Sequence, residues 1–267
     1  MKIAFQNENV TLWHGDCREV IPTLPPWAVL VTDPPYGIDH ESGWDGPYQG
    51  KAIEGDATLD SRDAVLAMIG DKPAAVFGTW RMPKPHGVRA VLVWNKGPAS
   101  GMGDLAFPWK PSWEEIYILG QGWSGRRDEG VLTGSVVTWA SKGREHPNQK
   151  PVPLVVRLLE KAPAGTVLDP FCGSGTTLIA ALETGRKAIG VEIDARWVEV
   201  AKRRLERWFA QPRLPFASEA RSTVASFHET SFLPLGDTDH TGQRGCLESG
   251  RQPVAENNEQ ESCDERG

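Results

Sequence analysis

The segment at residues 166–177 is Thr166-Val167-Leu168-Asp169-Pro170-Phe171-Cys172-Gly173-Ser174-Gly175-Thr176-Thr177. Its apolar beginning predicts a buried strand, and its two glycines predict a tight loop that opens a helix at Thr176. Glycine lets a backbone bend sharply and approach a ligand closely. Because open α/β sheets bind ligands outside the carboxyl ends of their strands, this segment predicts a ligand site in an α/β protein.

The charges around this loop restrict the kind of ligand. Glu192 follows the next predicted strand, where an acid can hold ribose hydroxyls. A dinucleotide site would need a third glycine where Leu178 stands, and the loop has no Lys or Arg to bind a pyrophosphate. The acids Asp169, Glu192 and Asp194 would repel a pyrophosphate and attract a sulfonium cation that carries a ribose. A capped turn without any ligand would contain the same glycines.

A second segment with unusual chemistry is Asp33-Pro34-Pro35-Tyr36-Gly37, directly after the apolar run at residues 28–32. Two successive prolines fix φ and remove two backbone donors, so the Asp33 carboxylate and the Pro34 carbonyl remain as acceptors. Tyr36 adds a flat face for stacking. Two acceptors would localise the lone pair of an aromatic amine and aim it at a methyl donor. The alternative is a rigid turn, since Pro and Asp are ordinary turn residues.

The third candidate is Gly15-Asp16-Cys17, again after a predicted strand. Asp16 could accept a hydrogen bond from the amino group of an adenine. By itself, a Gly-Asp pair is more often a turn or a helix cap.

Strand and helix patterns alternate along residues 10–209. The predicted strands are 10–13, 28–32, 74–77, 90–94, 115–119, 166–168 and 187–191, and the predicted helices are 18–21, 60–69, 153–161, 176–184 and 196–209. Unbroken apolar strands between helices predict a Rossmann-like α/β fold, with a mostly parallel sheet and helices on both faces. Loops are expected at 97–111 and over much of 123–146.

The chain changes character near residue 211. Residues 1–210 carry the alternating pattern and predict one domain, whereas 211–267 are polar and lack apolar periodicity, which predicts a disordered tail. The whole chain of 267 residues has a net charge of −6. The tail accounts for −5 of it, so the predicted domain is near neutral and can still present a basic face to a nucleic acid.

The apolar runs, the amino-terminal residues and the cysteines indicate where in the cell the protein is expected. No apolar run is long enough to span a bilayer, and the amino-terminal residues carry no secretory pattern. The four cysteines have no metal-ligand spacing, so we expect free thiols, no bound metal and a location in the cytoplasm.

Taken together, these motifs resemble those of the DNA amino-methyltransferases. Asp33-Pro34-Pro35-Tyr36 is similar to their catalytic motif, and Phe171-Cys172-Gly173-Ser174-Gly175 is similar to their cofactor motif. The catalytic motif comes first here, which is the circularly permuted order of the β class. His146-Pro147-Asn148-Gln149-Lys150-Pro151 is similar to the segment that precedes the cofactor motif in that class. The resemblance covers roughly residues 10–209. The occurrence of all these motifs in this order is more specific to the family than any single motif.

The resemblance implies a role for each motif. The cofactor would be S-adenosylmethionine, and the reaction would methylate N6 of adenine in duplex DNA after the base is extruded from the stack. Asp33, Pro34, Pro35 and Tyr36 would form the catalytic segment, in which Tyr36 stacks on the base. The expected cofactor-binding residues are Asp16, Cys17, Lys150, Asp169, Phe171, Gly173, Gly175, Thr176 and Glu192. Within this set, Asp16 and Cys17 would lie near the adenine of the cofactor and Lys150 near its methionine end.

The region that reads the DNA sequence would span about residues 123–145, and it is short for the family. A short recognition site or help from a second subunit, as in a homodimer, is therefore expected. The basic residues that we expect to contact phosphates, rather than bases, are Arg126, Arg127, Lys142 and Arg144.

Several alternatives remain open. Enzymes of the same fold that methylate N4 of cytosine more often carry Ser at the position of Asp33, so Asp33 favours adenine. Methyltransferases of protein glutamine usually carry Asn there and have the opposite motif order. An inactive nucleic-acid-binding relative is a further alternative, against which the complete set of pocket residues argues. Methylation at C5 of cytosine would need a Pro-Cys nucleophile, and no Cys follows a Pro.

Overall fold

The computed structural model describes residues 1–38, 57–97, 106–110, 112–134 and 149–211. The chain divides into two units, Met1–Phe216 and Ala217–Gly267, and every element described below belongs to the first. The predicted tail therefore lies outside the described residues, apart from Gln211. Within the described ranges, no helix combines the length and the apolar character needed to cross a bilayer.

Strands and helices alternate in the order that the sequence predicts. The strands are β1 (Lys2–Gln6), β2 (Val10–His14), β3 (Val29–Thr32), β4 (Ala74–Gly78), β5 (Ala90–Asn95), β6 (Trp113–Leu119), β7 (Val131–Thr133), β8 (Val167–Asp169) and β9 (Ala188–Glu192). The helices are α1 (Cys17–Val20), α2 (Asp60–Ile69), α3 (Val152–Leu159), α4 (Thr176–Glu183) and α5 (Ala195–Ala210), and a 3-10 turn at Ile21–Thr23 extends α1.

The strands form one sheet in the order β1-β2-β9-β8-β3-β4-β6-β5-β7. Five central strands, from β2 to β4 in that order, run parallel to one another. β6 is antiparallel to both of its neighbours, so β5 and β7 again point in the direction of β4. The carboxyl ends of all the strands except β1 and β6 therefore meet at one edge of the sheet, which we call the site edge.

Two hydrophobic cores cover the two faces of the sheet. All four residues of β3 are buried, and they alternate between the cores: Val29 and Val31 pack with residues of α3, α4 and α5, whereas Leu30 packs with residues of α1 and α2. A strand buried on both faces has no polar side to expose, which explains its unbroken apolar run.

The α/β fold with a mostly parallel sheet is confirmed, and the central elements match their predicted bounds to within two residues. Two edge strands were not predicted from the sequence. β1 is polar at both ends and largely exposed, and β7 is a strand of three residues inside the predicted loop at 123–146. Short edge strands bury little apolar surface, so the pattern that marks a buried strand is weak in them.

Candidate active site

The three predicted segments meet at the site edge. β2, β9, β8 and β3 are neighbours in the sheet, and the residues at or just beyond their ends are Asp16, Glu192, Asp169 and Asp33. Neighbouring strands are about 4.8 Å apart, so the four carboxylates are distributed over roughly 15 Å. Residues far apart in the sequence therefore share one cleft because the strands are parallel.

The glycine loop between β8 and α4 is held against the end of β9. Gly173 and Gly175 have φ angles of 50° and 80°, in the region that favours glycine. The Glu192 carboxylate accepts from the Gly173 amide at 2.8 Å and, through its other oxygen, from the Asp194 amide at 2.8 Å. A Cβ at Gly173 would meet no atom within 4 Å, so this backbone faces open space into which a ligand could fit.

Asp169 lies beneath this loop. Its Oδ1 accepts from the Thr32 hydroxyl at 2.6 Å and from the Phe171 amide at 3.1 Å. Burial raises the pKa of Asp169 to about 6 and that of Glu192 to about 7. Asp169 thus joins β8, β3 and the loop, whereas the side chain of Glu192 lies beside a cavity.

That cavity has a volume of about 200 Å³. It is lined by all three segments, with Gly15, Asp16, Cys17, Pro35, Phe171 and Glu192 among the lining residues. Sequence reasoning missed Arg18, Ser61 and Ile193, which also line it. The Asp16 carboxylate caps α1 through the Arg18 amide and pairs with the Arg18 side chain, which lowers the pKa of Asp16. Burial raises the pKa of the Cys17 thiol to about 11 and keeps it neutral.

The proline-rich segment places Asp33 and Tyr36 side by side. The Tyr36 hydroxyl donates to Asp33 Oδ1 at 2.7 Å, and Lys150 Nζ donates to Asp33 Oδ2 at 2.6 Å. The Lys150 ammonium also lies 5.5 Å from the centre of the Tyr36 ring. Burial raises the pKa of Asp33, and the charge of Lys150 opposes this rise. Asp33, Tyr36 and Lys150 therefore form one polar cluster.

Two further members of this cluster were not predicted. Glu114, at the beginning of β6, lies 3.2 Å from Lys150 Nζ and 3.2 Å from the Tyr36 hydroxyl oxygen. Lys96, just after β5, forms an ion pair with the other oxygen of Glu114. Burial alone would raise the pKa of Glu114, but the charges of Lys150 and Lys96 lower it, so two lysines face two carboxylates. The pair of acids at the start of an otherwise apolar strand, Glu114-Glu115, was the available sequence signal.

A third residue that the sequence analysis missed is Arg204 on α5. Its Nη1 donates to the Ser174 carbonyl at 2.6 Å and to the Ser174 hydroxyl at 2.9 Å. It lies 3.3 Å from the Thr176 hydroxyl, and burial lowers its pKa to about 10. Arg204 therefore supports the glycine loop from α5, and it is not among the residues that line the cavity.

Two of the four residues expected to contact DNA, Arg126 and Arg127, lie away from this edge, and their contacts with phosphates stay a prediction. β6 is antiparallel to β4, so the chain leaves β6 at the edge where β4 begins. Beyond it, the Arg126 carbonyl accepts from Lys161 Nζ at 2.6 Å, just after α3. A strand of seven residues spans about 20 Å, so Arg126 and Arg127 lie on the opposite side of the sheet from Asp33. Lys142 and Arg144 fall outside the described residues.

No cluster of three His, Cys, Asp or Glu side chains that could hold a metal ion occurs within the part of the chain that the structure describes. The described groups at the site are carboxylates and hydroxyls around a cavity. These groups suit a neutral or cationic ligand with hydroxyls to donate better than they suit a phosphate.

Comparison with known proteins identifies the family. A family model described as DNA methylase matches residues 119–203. The type II methyltransferase M2.LlaDCHI of Lactococcus lactis subsp. cremoris is 37% identical, and the alignment covers 77% of this chain and 93% of the relative.

Solved structures agree on the fold. The cytosine-N4-specific PvuII DNA methyltransferase superposes with a TM-score of 0.58 at 15% identity, covering 84% of this chain and 94% of that one. M1.HpyAVI, crystallised with S-adenosylmethionine, superposes with a TM-score of 0.53 at 19% identity, and the superposition covers 73% of this chain and 99% of M1.HpyAVI. The chain therefore belongs to the family of DNA methyltransferases that modify exocyclic amino groups, N6 of adenine or N4 of cytosine.

Proposed function

We propose that this chain transfers a methyl group from S-adenosylmethionine to N6 of adenine in duplex DNA. The observation that carries the proposal is that Pro35 of the catalytic segment lines the same cavity as Glu192 and Phe171 of the cofactor segment. A methyl donor in this cavity would thus be next to a target amine held by Asp33. Direct transfer requires such proximity because no covalent intermediate intervenes.

The residues around the cavity fit the proposed cofactor. Glu192 and Asp16 offer oxygens that can accept hydrogen bonds from ribose hydroxyls, Arg18 of the cavity is paired with Asp16, and the glycine loop has no cation that would select a phosphate. The open space beside Gly173 lets a ligand approach the backbone. When bound, S-adenosylmethionine supplies an electrophilic methyl group.

Asp33 and Pro34 would act on the amine. The carboxylate can accept further hydrogen bonds beside those from Tyr36 and Lys150, since its two oxygens offer about four lone-pair sites. With the Pro34 carbonyl, it would bind both hydrogens of the amino group and direct the nitrogen lone pair into the cavity. Once methylated, the nitrogen must lose a proton, and the Asp33 carboxylate is the nearest acceptor, with a pKa that burial raises.

The choice of adenine rests on Asp33, since N4-cytosine enzymes more often carry Ser at this position. The same pair of acceptors could bind the amino group of cytosine, so the base itself must be identified. Purified protein, S-adenosylmethionine with a labelled methyl group and DNA should give labelled N6-methyladenine after digestion to nucleosides. Label in N4-methylcytosine would mean that the target base is cytosine and not adenine. DNA without label would contradict the proposal.

A further inference from the structure

The turn that follows β4, residues 79–84, exposes two side chains next to the catalytic segment. Trp80 is 59% exposed, and the Arg81 guanidinium lies 5.6 Å from the centre of its ring. A tryptophan left mostly in water gives up the favourable burial of a large apolar surface. Exposed aromatic rings paired with a cation are typical of surfaces that bind another molecule.

Buried polar side chains hold this turn at both ends. Arg62 of α2 is 6% exposed, and its Nη1 donates to the Pro83 carbonyl at 2.9 Å. Tyr117 of β6 is 1% exposed, and its hydroxyl lies 3.2 Å from the Thr79 carbonyl. The side chains at the tip are thus presented on a fixed support, which reduces the entropy lost on binding.

The turn also lies beside the place where the target amine would enter. β4 is the neighbour of β3 in the sheet, so both chains emerge at the site edge. The Met82 methyl lies 3.1 Å from the position of a Cβ at Gly37, the residue directly after Tyr36. The turn that contains Trp80 therefore contacts the segment that contains Tyr36.

We propose that Trp80 and Arg81 bind DNA at the target nucleotide, Trp80 by stacking on a base and Arg81 by contacting a phosphate. This inference rests on the proposed function, because it takes DNA as the molecule that supplies the amine. Extrusion of one nucleotide uncovers the faces of the neighbouring bases, and an aromatic ring stacks on any of them irrespective of sequence. Arg81 gives the turn a positive charge that matches a phosphate backbone, whereas Lys84 is paired with Glu115 at 3.4 Å.

Binding measured without turnover tests this inference. The probes are two fluorescent duplexes of mixed sequence, one fully paired and one with a single mismatched adenine, whose base leaves the stack at little cost. Anisotropy is followed over a range of salt concentrations with the full chain and S-adenosylhomocysteine. Trp80→Ala should weaken binding of the mismatched duplex by about tenfold without changing the salt dependence, and Trp80→Phe should restore most of it. Arg81→Ala should reduce the slope of log binding constant against log salt concentration by about one, because one phosphate contact is lost.

Lys187→Ala is the control, because it removes one exposed cation from the opposite edge, just before β9; both its DNA affinity and its salt slope should equal those of the wild type. Unchanged binding in Trp80→Ala, or equal losses in the control, would overturn the inference. So would a fall in melting temperature or in S-adenosylmethionine affinity in Trp80→Ala, since these would indicate a structural role. Failure of the proposed function has a different result, namely wild-type protein that binds DNA but transfers no methyl group.

Discussion

Lys150 is the residue whose environment differs most from its expected one. The resemblance put its side chain near the methionine end of the cofactor, and that role stays a prediction. In the structure, its ammonium lies between the carboxylates of Asp33 and Glu114, at 2.6 Å and 3.2 Å. A buried lysine with two acidic partners keeps its charge, and accordingly the pKa of Lys150 is raised although burial alone would lower it.

Asp33→Ala should abolish methyl transfer and leave S-adenosylmethionine binding nearly intact. Asp33 is assigned to the target amine, whereas the cofactor cavity is lined by Asp16 and Glu192. Lys150 keeps Glu114 as a partner, so the change leaves no buried charge unpaired. Calorimetric titration with the cofactor and a transfer assay measure the two effects.

Asp128→Ala is the matched control for this change, because Asp128 pairs with Arg157 on the exposed side away from the cleft. It should behave as the wild type in both assays. If Asp33→Ala retained turnover, the catalytic assignment of Asp33 would be wrong.

Glu192 gives the stability of the protein a defined pH dependence. Its pKa rises from an ordinary value of 4.5 to about 7 on folding because of burial. Between these values the folded state holds a proton that the unfolded state has released, so the free energy of unfolding falls as the pH rises through this window and levels off above it. Asp169 adds to the fall at lower pH, between 3.8 and about 6.

In Glu192→Gln this fall should be smaller, because the titrating group is gone. Urea unfolding at several pH values measures the free energy of unfolding. The variants are compared by the slope of this free energy with pH and not by its absolute value, because the amide also disturbs the hydrogen bonds to Gly173 and Asp194. Glu206→Gln, at an exposed position on α5, is the control and should keep the wild-type slope. Equal slopes in Glu192→Gln and the wild type would rule out Glu192 as the source.

At the scale of elements, the central sheet was predictable because most of its strands are buried on both faces. β3, β4 and β9 are buried throughout, and such runs differ sharply from their polar surroundings. Their carboxyl ends then locate the site, since parallel strands end at one edge. The cavity itself unites segments that the sequence analysis had singled out separately.

The side chains that hold the site residues in place were not predictable in the same way. Glu114 and Lys96 meet only because β5 and β6 pair, and Arg204 reaches the glycine loop from a helix some thirty residues later. Side chains of this kind have no local pattern, because an arginine on an amphipathic helix usually faces solvent. The position of Arg126 was not predictable for a related reason: the direction of β6 determines where Arg126 lies, and periodicity does not reveal strand direction. Its expected contact with DNA phosphates stays a prediction.

Arg204→Met should weaken S-adenosylmethionine binding by loosening the glycine loop. Methionine keeps much of the apolar stem but loses the donors to the Ser174 carbonyl and hydroxyl. Hydrogen bonds from a charged group contribute about 1.5–3 kcal/mol, so a loss of roughly tenfold or more in affinity is expected. Calorimetric titration measures the affinity.

Arg203→Met is the matched control, since Arg203 is the preceding residue on the same helix and is exposed. It should bind the cofactor as the wild type does. Equal affinity in both variants would mean that the loop keeps its shape without Arg204.

At the scale of the whole molecule, the groups of the proposed site lie at one edge of the sheet. The site edge contains the cavity, the cluster around Asp33 and the turn with Trp80, whereas the opposite edge contains the Arg126 segment and its contacts with Lys161. Among the described residues, those at the site edge are therefore nearest to a duplex that approaches Asp33. A near-neutral domain can bind DNA in this way, because the local charge and not the net charge determines the contact.

The tail can be separated from this machinery by truncation. A chain ending at Ala210 should remain folded and transfer methyl groups within a few-fold of the full chain, because α5 ends there and retains all of its packing residues. The polar composition of 211–267 cannot bury enough apolar surface to add to the core. Urea unfolding and the transfer assay measure the two properties.

A chain ending at Arg207 is the control for the position of this boundary. It lacks Trp208, which packs against the core on the α5 face, and Phe209, whose ring lies 6.2 Å from that of Phe5 in β1. Loss of two aromatic side chains from such contacts should destabilise the fold by about 2 kcal/mol or more. If the chain ending at Ala210 were instead insoluble or inactive, the tail would have to belong to the fold or to a dimer interface, and the functional unit would extend beyond α5.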